Sequence, residues 1–224
     1  MNDKPKTGMI ILALLLVILA SLLTFVFHEP IEQALTGKVT ARAHITEAPQ
    51  ENCSVVLDEG INTVSFFCET SRDVNDSLAN NGDVFDFKAV YIFNEQDSNN
   101  PWRIYNKDLP EYISQGFSQI RRNVGYIILM NEQRTYSHDG ILVLNNQFSL
   151  REGWNLIGYP LNQNRTVEDA LNSIEGIYER VETFDYESKE WITYEAGVGG
   201  DLQNLEPMRS YWIKVNEDVT LTIQ

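Results

Sequence analysis

Positive charge is scarce in this chain. Seventeen Lys and Arg stand against 32 Asp and Glu, which leaves a formal net charge of −15 and a pI near 4.5. That sign repels a phosphate backbone, so nucleic acid is excluded as a partner, and an anionic membrane surface is disfavoured too. Histidine is scarcer still. His28, His44 and His138 lie far apart, and none has metal-ligand spacing with another His or a Cys. G-x-S-x-G and H-E-x-x-H are missing, as is a glycine-rich phosphate loop, since Gly197-Val198-Gly199-Gly200 runs straight into Asp201. Asp73-Val74-Asn75-Asp76-Ser77 begins like a calcium loop, but Leu78 stands where its glycine belongs and Val84 where its closing Glu belongs. The sequence therefore predicts no catalytic residue, no metal ligand and no cofactor, and it reads as a non-enzyme.

Cysteine is limited to Cys53 and Cys68. The pair is the candidate disulfide, with two buried thiols as the alternative. In an oxidising compartment a closed loop of this size adds on the order of 3 kcal/mol by the chain-entropy estimate.

Long apolar runs are absent except for one, Met9 to Phe27, which carries no charge. As a helix it spans about 28 Å, close to the hydrocarbon thickness of a bilayer. It is longer than the apolar core of a signal peptide, and Phe25-Val26-Phe27-His28-Glu29-Pro30 offers no small-residue cleavage site. The reading is an uncleaved transmembrane helix over 9–27. Lys4 and Lys6 mark residues 1–8 as a cytoplasmic tail, and everything beyond His28 is then extracytoplasmic. Three N-x-S/T triplets, at Asn52, Asn75 and Asn164, are glycosylation candidates that agree with an outside location. A basic leader before a long apolar run also fits a type IV pilin-like filament subunit, although Ala13 occupies the position of the usual pilin Glu.

What the chain has in abundance is itself. Leu57-Asp58-Glu59-Gly60-Ile61-Asn62 returns 93 positions later as Leu150-Arg151-Glu152-Gly153-Trp154-Asn155. At the same offset Arg72, Val74, Asp76 and Leu78 meet Arg165, Val167, Asp169 and Leu171. Phe93 meets Phe184, and Tyr126-x-Ile128-x-x-Asn131-Glu132 meets Tyr211-x-Ile213-x-x-Asn216-Glu217. Cys53 and Cys68 correspond to Asn146 and Leu161, so the cysteine pair belongs to the first copy alone.

Two tandem homologous modules follow, over 51–138 and 147–224. Residues 28–50 form a stalk and strand, and 139–146 a connecting strand. In the second copy three hairpins are expected. Phe148–Leu150 should return as Trp154–Tyr159, Val181–Tyr186 as Glu190–Tyr194, and Ser210–Val215 as Val219–Ile223. Thr166 caps a helix that ends near Gly176. The expected class is therefore β-rich α+β, a transmembrane helix followed by two β modules with one short helix each.

The run Gly153-Trp154-Asn155-Leu156-Ile157-Gly158-Tyr159-Pro160, then Thr166-Val167-Glu168-Asp169-Ala170-Leu171, then Tyr211-Trp212-Ile213, resembles a module of archaeal and bacterial cell-surface proteins. S-layer-like and secreted multidomain chains carry it. The resemblance implies an outward-facing structural or binding accessory. Ile61 replaces the tryptophan in the first copy, so a ligand role for Trp154 does not extend to it.

The leading functional expectation is a single-pass, membrane-anchored cell-envelope protein with a structural or protein-interaction role. Its partners would be the membrane, through Met9–Phe27, and other envelope proteins or glycans, with homo-oligomers also open. The second reading is a carbohydrate-binding surface module, with Trp154, Trp191 and Trp212 as stacking aromatics. Trp191 recurs at the position of Trp102, and recurrence with the module argues for core instead.

Overall fold

The computed structural model describes residues 50–68, 71–80, 82–110, 116–186 and 188–224. The run Met9–Phe27, the cytoplasmic tail, the stalk and its strand lie outside the described residues. So do His28 and His44. No helix among the described residues is long and apolar enough to cross a membrane.

The expected α+β class is corrected. Strand makes up 53% and helix 7% of the described residues, so the fold is mostly β. The two α-helices among the described residues are single turns, Val74–Ser77 and Val167–Ala170. Each starts as its sequence requires, with Asp73 accepting from the Asn75 N–H and Thr166 from the Asp169 N–H. Neither propagates, because one turn is too short to support itself and the next residue, Leu78 or Leu171, turns fully into the core. The run toward Gly176 closes instead through a 3-10 turn, Asn172–Ile174.

Two antiparallel sheets dominate. The first has the order Gly60–Val64, Tyr126–Met130, Phe87–Phe93, Trp102–Tyr105. The second has the order Gly153–Gly158, Ser210–Val215, Tyr178–Asp185, Glu190–Glu195, with Gly199–Gly200 at its edge. Beside each runs a separate two-stranded ladder. Gln50–Leu57 pairs with Arg134–Ile141, and Asn146–Leu150 with Val219–Ile223.

This pairing overturns two of the three hairpins. Asn146–Leu150 does not fold back on Gly153–Gly158, nor Ser210–Val215 on Val219–Ile223. The two long segments run antiparallel to each other and bend together. Of the three expected hairpins, Tyr178–Asp185 with Glu190–Glu195 is the one that forms, and its counterpart Phe87–Phe93 with Trp102–Tyr105 repeats it. Residues 139–146 are not one connecting strand. Asp139, Gly140 and Ile141 finish the ladder opposite Asn52, Glu51 and Gln50, and strand resumes at Asn146.

A buried asparagine makes each bend. Asn155 accepts from the Arg151 N–H and donates to the carbonyls of Arg151 and Gly153. Asn62 does the same with Asp58 and Gly60. Gly60 and Gly153 sit at φ +95° and +96°, a left-handed backbone that side chains resist. A second device also recurs. The Tyr126 hydroxyl accepts the Arg121 N–H and the Tyr211 hydroxyl the Glu206 N–H, both at 2.7 Å. Burial pushes the Tyr211 phenol well above its ordinary range.

Each sheet closes over its own apolar core. Phe66 packs against Tyr126 and Tyr136 in the first, and Tyr159, Leu171, Ile174 and Tyr211 fill the second. Cys53 and Cys68 are bonded within the first core. Gly140 lies so close to Cys68 that an added methyl would strike its carbonyl oxygen at 2.2 Å.

Candidate functional site

The modules meet about a local pseudo-twofold, and the sequence offsets reproduce it. Val64 bridges to Arg209 and Ile157 to Val124. The Ser65 N–H donates to Met208 O at 3.0 Å, and the equivalent Gly158 N–H donates to Asn123 O at 3.2 Å. Met208 and Asn123 share a left-handed φ of 62° and 64°. Backbone meets backbone here, so the side chains are small. A Cβ on Gly158 would lie 2.5 Å from Val124 O, and one on Gly125 would lie 2.9 Å from Ile157 O. Ser65 fills the remaining space and donates to Tyr159 O.

Around this junction lies an aromatic cluster. Register opposes Phe93 to Trp102 and Phe184 to Trp191, and both pairs pack edge to face. The first pair reaches across to the second module, where Trp212 lies 5.0 Å from Phe93 and 5.8 Å from Trp102. Trp154 stands edge-on to Trp212 at 6.4 Å. Of the three tryptophans read as stacking residues, Trp154 and Trp212 are thus brought together and Trp191 is not. Trp212 is half-buried and covered by three rings, so its faces serve the junction. Trp102 and Trp191 remain 44% and 49% exposed, and Ile61, the counterpart of Trp154, is 49% exposed.

Trp154 borders a row of charges. Trp154 faces Lys214, Lys214 faces Arg180, and Arg180 faces Glu195 across the sheet. Lys214 pairs with Glu179 at 2.5 Å and Arg180 with Glu182 at 2.6 Å. Trp154, Glu179, Arg180, Glu195, Val198 and Lys214 line an open cleft of about 370 Å³.

On the other flank of the junction the buried Thr63 and Thr183 hydroxyls meet, and the Tyr186 hydroxyl donates to Thr63 O. Arg209 lies over the Tyr186 ring and pairs with Asp185. Burial raises the Tyr186 phenol above its ordinary value. Sequence reasoning missed this flank. Its signal was the serine and glycine of Ser65 and Gly158, which mark a close backbone approach at one repeat position.

The other candidates lie apart from the junction. Asn52 and Asn164 are exposed, while Asn75 is partly buried and donates to the Tyr105 hydroxyl. The Asp73 carboxylate is a helix cap. Among the described residues no group of three or more His, Cys, Asp or Glu could hold a metal ion. His138 stands opposite Cys53 in the ladder, beside Arg72. No family profile, curated protein or solved structure matches this chain.

Proposed function

We propose that this protein is an extracytoplasmic cell-envelope protein, tethered by the apolar run 9–27, whose two-module β unit mediates contacts with other envelope components. The observation that carries the reading is the Cys53–Cys68 disulfide. A buried structural disulfide belongs to an oxidising compartment, and that agrees with the orientation set by Lys4 and Lys6. The half-exposed Trp102, Trp191 and Ile61 supply the kind of apolar anchors that protein interfaces use. The likeness to archaeal and bacterial surface modules points the same way. The test is thiol trapping in intact cells with a membrane-permeant maleimide. Both cysteines should resist alkylation until a reductant is added, and protease added outside should cleave the β unit. Alkylation without reductant, or protection from protease until detergent is added, would overturn the assignment.

A carbohydrate ligand is the second reading, favoured by the cleft beside Trp154 with Glu179, Arg180, Glu195 and Lys214. Binding on a glycan array that disappears in Trp154→Ala, with the thermal midpoint retained, would support it. Silence across the array would remove it.

A further inference from the structure

The pseudo-twofold is broken at one place, and the break leaves a cleft. On one flank of the junction Tyr186 lies against Thr63 and Arg209, and the neighbouring Met208 joins the first core. The repeat offsets place Glu95 at the position of Tyr186, Asn123 at that of Met208, Leu156 at that of Thr63 and Val124 at that of Arg209. The two large side chains that fill one flank are therefore absent from the other. Ile92 there replaces Thr183. The result is an apolar cleft of about 260 Å³ lined by Ile92, Val124, Leu156 and Ile157, with Glu95 and Asn123 among its polar members. The Asn123 Oδ1 is buried and has no hydrogen-bond partner.

We infer that this cleft receives a tyrosine side chain from a partner polypeptide. The twin flank shows the occupant that this architecture accepts. It is a phenol ring whose hydroxyl donates to an acceptor inside the junction. In the open flank the apolar walls take the ring, and Asn123 Oδ1 offers the acceptor that the hydroxyl requires. The inference goes beyond the interaction role proposed above and does not depend on membrane location, so the two fail separately.

The test is a methyl-resolved NMR titration of the full chain in detergent micelles with N-acetyl-tyrosinamide. Resonances of Ile92, Val124 and Leu156 should shift saturably. N-acetyl-alaninamide should leave them in place, and Glu95→Gln should bind as the wild type does. Glu95→Tyr supplies the missing ring in cis. It should weaken binding at least tenfold while the resonances around Trp191 keep their positions, which shows that the variant is folded. Absence of saturable shifts, equal shifts with the alanine compound, or undiminished binding in folded Glu95→Tyr would overturn the inference. Tighter binding of free tyrosine than of the capped amide would overturn the polypeptide source.

Discussion

Asn155 and Asn62 hold the chain where it leaves one ladder and enters the next. Each side chain satisfies one backbone N–H and two carbonyls at a bend that no ladder partner reaches. Removing such an amide strands buried polar groups, which costs more than the net worth of the bonds themselves. Asn155→Ala should lower unfolding stability by about 2–3 kcal/mol in urea titration, and Asn62→Ala by a similar amount. A loss below about 0.5 kcal/mol would show that water replaces the amide. The asparagines were visible in both copies of the repeated hexapeptide, yet nothing in a single sequence says that an Asn is buried. Gly60 and Gly153 were legible, because a turn residue flanked by strand patterns has few other uses. Cys53 and Cys68 were legible for the same kind of reason, since two cysteines at loop-closing separation have few other fates in an oxidising space.

At the scale of elements, most strands were legible and most of their partners were not. Alternation of apolar and polar residues places a strand on a core but leaves open which strand lies beside it. Leu150 and Trp154 are separated by a short glycine-bearing turn, which in most sequences makes a hairpin. Here the Asn155 clamp redirects the chain, and Asn146–Leu150 finds Val219–Ile223 instead. The hairpin of 178–195 was legible from its alternation. The junction elements yield a paired prediction. Gly158→Ala places a methyl against Val124 O, and the backbone on both sides must yield, so a loss of about 3 kcal/mol is expected. Gly153→Ala meets nothing within 4 Å and is opposed only by its φ of +96°, so a loss of about 1–2 kcal/mol follows. Tryptophan fluorescence separates the causes. The emission of the native state should change in Gly158→Ala, where the Trp212 cluster shifts, and stay constant in Gly153→Ala. Equal effects on both readouts would remove the steric account of the junction.

For the molecule as a whole, the question is whether the modules unfold together. Val64 with Arg209, Ile157 with Val124 and the four-ring cluster at Trp212 join the two cores without a linker. The wild-type unit should therefore melt in a single calorimetric transition. Trp212→Ala removes three edge-to-face ring contacts and should cost about 2–3 kcal/mol. It should also split the transition in two, with the disulfide-bearing module melting later. One sharp transition in the variant would show that the backbone bridges alone couple the halves. The duplication itself was readable from the offsets, but the pseudo-twofold was not. Symmetry between modules depends on which surfaces touch, and the traces of that are the small residues at equivalent repeat positions, Ser65 with Gly158 and Ser210 with Gly125.

The bond between Cys53 and Cys68 has a mechanical consequence. The described chain enters its first ladder at Gln50, and only Gln50, Glu51 and Asn52 precede the first bonded sulfur. A pull arriving from the amino-terminal side can strip three residues from Arg134–Ile141 before it meets a covalent stop anchored in the first core. Tension then passes through the sulfurs to Cys68 and leaves residues 54–67, with the bridge of Val64 to Arg209 among them, outside its path. Hydrogen bonds that would otherwise yield one after another are shielded, and the contacts of Val64 and Ser65 with the second module sit inside the sheltered loop.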